Sequence, residues 1–206
     1  KHGAAGGGLT SQTFFTSATE RLRIDSSGNM GIGTSSPSSP NSAATFLEIE
    51  DAVGASLVIN DSGQASPYEL IAGADKISLR YGTADLVVFK NSGNVGIGTA
   101  APDGALHVHT ASAGSVTAST NADELVVENS VSGGISILVP DTSYANFYMG
   151  HPSHNSAGRI QYGSAAVTSN DRNNMLFSTA GSERLRIDSS GNVLVKTGAL
   201  QLNDVA

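Results

Sequence analysis

The 206-residue chain carries a net charge of −7 and no cysteine, which excludes an electrostatic nucleic-acid binder, disulfides and thiolate metal sites. It has no apolar run of the roughly 18 residues that a membrane-spanning helix needs. Val, Ile, Leu and Phe supply only 47 residues against 24 glycines, too thin a set for one chain to offset its ordering entropy alone.

Two states satisfy that composition: disorder, or a core shared between chains. The apolar residues cluster in short β-branched runs, SLVIN, DLVVF, ELVVE and GISILV, with turn residues between them. Strands are punctuated in that way, so the shared core is favoured. Residues 1–8 lack the apolar centre of a secretory signal, and a start at Lys1 points to processing or to a fragment.

In chain order, the first predicted element is a β-hairpin in ERLRIDSSGNMGIGT. Leu22 and Ile24 alternate with Arg21 and Arg23, Asp25 and Gly28 suit a type I turn closed by a left-handed residue, and Met30 and Ile32 return. Gly31 and Gly33 leave the opposite face without side chains, which predicts close backbone approach at a symmetry axis or between packed sheets. A looser copy follows at DLVVFKNSGNVGIGT, with Gly93, Gly96 and Gly98 at the matching positions. The decapeptide ERLRIDSSGN then recurs whole from Glu183 to Asn192, with Asp188 and Gly191 at the turn. Pro37, Pro40 and Pro102 are expected to stop strand propagation.

The likeness extends upstream of the later copies. LEIEDAVGASLVIND from Leu47 aligns with LVVENSVSGGISILVPD from Leu125, LIAG with FYMG, and KISLRYG with GRIQYG. ADELVVE is read as a strand. Recurrence of this kind means stacked units that cannot bury their faces singly. The expected division is 1–40 (half a repeat and a linker), 41–104 (a second module) and 105–206 (a third, with a polar insertion).

These motifs, ERLRIDSSGNMGIGTSSP, NVGIGTAAPDGALHV and ERLRIDSSGNVLVKTG, resemble the repeats of bacteriophage tail-fibre and tail-spike proteins. The resemblance covers about two thirds of the chain and departs from the pattern where LVKTG replaces GIGT. It implies an all-β fold of repetitive short-stranded modules in an elongated parallel homotrimeric fibre, intertwined or prism-like. It also implies a structural virion protein, made in the bacterial cytoplasm, that presents host-binding surface and is not an enzyme. Its partners would be copies of itself, other tail or baseplate proteins, and a host receptor, glycans among the candidates. Closing three chains around an axis also hides strand edges that would otherwise pair freely. The rival readings are a polysaccharide depolymerase segment and a bacterial repeat adhesin.

Candidate site residues are few. His107 and His109 share one strand face, so three pairs in a trimer could offer six nitrogens to an octahedral transition metal. Leu106 and Val108 are the residues expected inward, however, which favours solvent-facing histidines. No other cofactor is expected. The stretch 143–163 has the densest aromatic cluster, and its insertion nominates Tyr144, Tyr148, His151, His154 and Asn155 for receptor contact. The competing expectation is that Tyr144, Phe147, Tyr148 and Tyr162 pack a core. The pairs Arg21/Arg23 and Arg184/Arg186 are expected to form salt bridges to Glu20, Glu183 or a neighbouring chain. Glu48 and Glu50, or Asp123 and Glu124, lie too close in sequence to imply the facing carboxyls of a glycosidase.

Overall fold

A computed structural model describes residues 11–38, 45–73, 75–167 and 170–196. Among them the chain is all-β and has no helix. Its strands form three separate sheets. Compact units divide between Gly134 and Ile135, the first two sheets lying in the first unit and the third in the second. Pro40 and the Thr197–Gly198 end of the last repeat lie outside the described residues.

The first sheet joins β1 (Ser11–Thr16), β2 (Thr19–Asp25), β3 (Met30–Ile32) and β4 (Leu47–Ile49) in that order. Ser17 and Ala18 both take positive φ, so β1 and β2 meet through the two-residue turn whose twist matches that of the strands. In the next turn Gly28 has a φ of +86°. Asp25 Oδ1 accepts the main-chain N–H groups of Ser27 and Asn29 at 2.8 and 2.9 Å. The β3–β4 pair is parallel.

The second sheet runs β11-β10-β9-β8-β7-β6-β5. In chain order these are β5 (Ala55–Ile59), β6 (Tyr68–Gly73), β7 (Lys76–Tyr81), β8 (Ala84–Lys90), β9 (Val95–Ile97), β10 (Leu106–His109) and β11 (Leu125–Glu128). β5 to β9 are an antiparallel meander. β10 and β11 then add in parallel. The third sheet is a meander of β12 (Tyr144–His151), β13 (His154–Gly163), β14 (Met175–Thr179), β15 (Ser182–Ile187) and β16 (Val193–Val195).

The expected division at 104/105 therefore falls inside the second sheet. The strand after each GIGT segment returns beside the hairpin it has just left, so the end of a sheet comes from sequence that reads as the start of the next module. GISILV differs from expectation too: residues 134–139 form no strand and join no ladder among the described residues.

Registers sort the side chains by face, because directly paired residues project to the same side of a sheet. One row of the second sheet reads Leu57–Leu70–Leu79–Val87–Ile97–Val108–Val127. The next parallel row contains Ile77, Phe89, Val95, Leu106 and Leu125. This apolar face is open: Leu70 is 47% exposed, Leu79 40% and Phe89 52%. On the other face Ser78 and Val88 are wholly buried.

The same inversion recurs in the other sheets. Phe14, Leu22, Ile32 and Ile49 form the apolar row of the first. Phe147, Ile160, Phe177, Leu185 and Val195 form that of the third. Phe14 and Phe147 are exposed, whereas Leu176, Ser178 and Arg186 on the third sheet's opposite face are buried.

The covered faces are covered by the chain itself. A Cβ on Gly31 would sit 2.8 Å from Thr34 Cγ2 and 3.0 Å from Pro37 Cγ; one on Gly96 would sit 2.4 Å from the Thr99 carbonyl oxygen. The GIGT-to-Pro segment folds back over the glycine, so the close approach predicted there is made within one chain.

Candidate functional site

Each repeat hairpin contains one β-bulge, between Phe14 and Phe15, Leu79 and Arg80, or Phe177 and Ser178. The extra residue opposite it is Arg21, Leu86 or Arg184. The bulge shifts the acid before it to the covered face. Arg23 then clasps Glu20 through Nε and Nη2 at 2.6 and 2.7 Å. Arg186 clasps Glu183 at 2.7 and 2.8 Å and adds Asp171 at 2.6 Å. Those hydrogen bonds to Glu183 and Asp171 push the Arg186 guanidinium further up, against the cost of its burial. Arg21 and Arg184 donate instead to Thr16 and Thr179. Of the expected ion pairs with Glu20 and Glu183, the structure therefore contains those of Arg23 and Arg186.

The middle repeat has Val88 at the equivalent position, and its acid is Asp85. Lys76 and Arg80 each contact the Asp85 carboxylate at 2.6 Å. Burial pushes that carboxyl up, but the hydrogen bonds from Arg80 and Lys76 outweigh it and bring the pKa down to about 2. The DSSGN turns are held similarly. The side-chain amide of Asn192 and then its main-chain N–H lower Asp188. Asp25 is lowered by the same bonds from Asn29, against burial.

Gly93 and Gly191 repeat the left-handed turn position of Gly28, with φ of +93° and +86°. Gly33 and Gly98 also take positive φ. A Cβ on either would meet a carbonyl oxygen, that of Glu50 at 2.1 Å or that of His109 at 2.2 Å.

His107 and His109 share the covered face of β10, their rings 5.6 Å apart and edge-on. The expectation of solvent-facing histidines is corrected for His107, which is 2% exposed. The Asp103 N–H donates to its Nδ1 at 3.2 Å, which leaves the ring proton on Nε2. Nε2 lies 3.1 Å from Glu128 Oε2, but without hydrogen-bond geometry. His109 Nε2 is 3.9 Å from the same oxygen. The Ala113 N–H donates to Glu128 Oε1 at 2.7 Å and is the main reason that this carboxyl lies below its ordinary range. Asp103, His107 and Glu128 each place a donor atom within 4.8 Å of the others, a set that could hold a metal ion within one chain. Sequence reading missed Asp103 and Glu128 because the parallel register His109↔Glu128 leaves no local trace.

The nominated receptor residues gather at the β12–β13 hairpin. His151 and His154 face each other across its turn with ring centroids 6.3 Å apart. His151 and Asn155 are exposed, and Tyr148 is 54% exposed. Tyr144 stands at the other end of β12, its hydroxyl 3.4 Å from Asp171 Oδ2. Phe147 and Tyr162 do not pack a core within the chain; both are exposed, on the open apolar face. A polar cleft of about 430 Å³ below β15 and β16 is lined by Asn170, Arg172, Asn174, Arg186, Asp188 and Lys196, among others. Glu48 accepts the Ser38 N–H at 2.9 Å. Asp123 and Glu124 present main-chain carbonyls to Ala105 and Leu106.

No protein-family model matches the chain, and no curated protein matches its sequence.

Proposed function

We propose that this chain is a structural segment of a homotrimeric phage tail fibre, a spacer of stacked β-modules that positions receptor-binding surface. The observation carrying the reading is the inverted burial of all three sheets. The buried side chains of the sheets lie on their polar faces, while rows of Leu, Ile, Val and Phe stand open. Open apolar area on this scale marks a surface that another protein covers. Copies of the chain supply a matching apolar face, and a threefold axis closes the set without leaving an open end. The ERLRIDSSGN and GIGT repeats add the likeness to tail fibres.

The β12–β13 hairpin, with Tyr148, His151, His154 and Asn155 at or near its tip, is the part offered to a host receptor. Several fibres on one virion would turn weak contacts into avid adsorption. The role needs no catalytic group or cofactor. Residence in the virion and attachment to other tail proteins belong to the same proposal.

The test is the native mass of the purified chain by multi-angle light scattering, before and after heating in detergent. A particle of three 20.9-kDa chains that resists detergent until heated is expected. A folded monomer at micromolar concentration would overturn the reading.

A further inference from the structure

The apolar row of the third sheet begins at Phe147 on β12, whose outer edge has no partner among the described residues. In the preceding repeat the matching strand is β6, through LIAG and FYMG, and its outer edge is occupied. There β5 pairs along it with Leu57 opposite Leu70. The sequence equivalent of β5 is residues 135–139, ISILV. These carry no charge and form no ladder, and Ile135 is 55% exposed. Beyond Tyr144, whose carbonyl accepts the Asn146 side-chain amide at 3.1 Å, the edge is also unprotected: ANFYMG, Ala145 to Gly150, contains neither lysine nor proline nor any charged residue, the usual safeguards of an exposed edge.

The chain's own path keeps the two apart. Residues 60–67 give β5 room to reverse onto β6. Residues 140–143 join Val139 to β12 through a turn that the Ser143 N–H closes on the Pro140 carbonyl at 2.9 Å. That turn is itself tied down: the Ala166 N–H donates to the Asp141 carbonyl at 2.8 Å and the Ser164 N–H to the Ser143 carbonyl at 3.2 Å. These bonds fasten the connection beside the segment that leaves β13, so 135–139 does not fold back along β12.

We infer that residues 135–139 of one chain add as an antiparallel strand to the free edge of β12 in a neighbouring copy, with Ile137 opposite Phe147. That register copies β5 on β6 and sets Ile135 opposite Met149 and Val139 opposite Ala145. The apolar row then continues by one strand, and the open edge is closed by main-chain hydrogen bonds, as in strand addition generally. The inference rests on the proposed self-assembly and says which segments interlock.

The test is paired cysteine substitution, Ile137→Cys with Phe147→Cys, in a chain that has no native cysteine. Directly opposite residues in an antiparallel pair come within disulfide reach. Oxidation should give a covalent three-chain band on a non-reducing denaturing gel, absent from either single variant. An internal disulfide in a single-chain band, or no disulfide, would overturn strand exchange. The native mass of the same sample separates the two proposals. Three chains without a cross-link sink only the exchange, whereas one chain sinks the assembly as well.

Discussion

Leu79→Asp distinguishes a lone chain from an assembled one. Leu79 sits on β7, in the middle of the second sheet's open row, and is 40% exposed. In a monomer the substitution loses only the contacts that the shielded part of Leu79 makes within the sheet, about 2–3 kcal/mol, and leaves the native mass unchanged. In an assembly that covers the face, about 70 Å² of leucine surface is buried per chain, worth roughly 2 kcal/mol, and the introduced carboxylate adds several kcal/mol more through desolvation. Three such sites act together, enough to dissociate the particle. Leu176→Ala is the matched control: Leu176 is 2% exposed on a covered face, and its truncation should cost about 2–5 kcal/mol whether or not chains associate. Light scattering and urea unfolding read both. The expected result is lost assembly for L79D and an intact particle with a lower urea midpoint for L176A. An L79D chain with unchanged mass would refute the claim that this face is covered.

Other outcomes follow from individual contacts. Gly98→Ala puts a methyl 2.2 Å from the His109 carbonyl and should cost about 3 kcal/mol or more, whereas Gly93→Ala meets no atom within 4 Å and should cost about 1 kcal/mol; urea midpoints compare them. Arg186→Met leaves Glu183 and Asp171 without their shared cation and should cost about 3 kcal/mol, read by thermal unfolding at neutral pH. Asp85 has its pKa depressed from 3.8 to about 2, so its contribution is complete above pH 4 and is lost as pH falls through 2. That loss amounts to about 2 kcal/mol per chain. Asp85→Asn should flatten this part of the stability–pH profile, and equal slopes in the two proteins would refute the assignment.

The hairpins were legible because two signals agree locally: alternation in LRID, and Asp and Gly at fixed places in DSSGN. Register and covering were not. That Leu47 lies beside Met30, and Glu128 beside His109, depends on parallel returns across segments with no periodicity of their own. The glycines were rightly read as sites of close approach, but sequence could not say what approaches. The buried state of His107 was hidden for the same reason, since Asp103 and Glu128 reach it only after the return loop closes. GISILV shows the opposite failure: its pattern is that of a strand, and local pattern does not reveal whether a partner stands within the same chain.

The bulge explains why the acid of each of the three repeat hairpins stays off the open face. By strict alternation Glu20 would fall on the side of Leu22 and Ile24, Asp85 with Val87 and Phe89, and Glu183 with Leu185 and Ile187. One extra residue in each hairpin moves that acid to the covered face, where Arg23, Lys76 with Arg80, or Arg186 is waiting. On a face left in water, a carboxylate would cost little, and such a bulge would have no recurring benefit. On a face destined to be buried between chains, the same carboxylate would lose its hydration without a counter-ion. The acids of all three repeats, held by different cations but displaced by the same irregularity, are therefore placed as the proposed assembly requires.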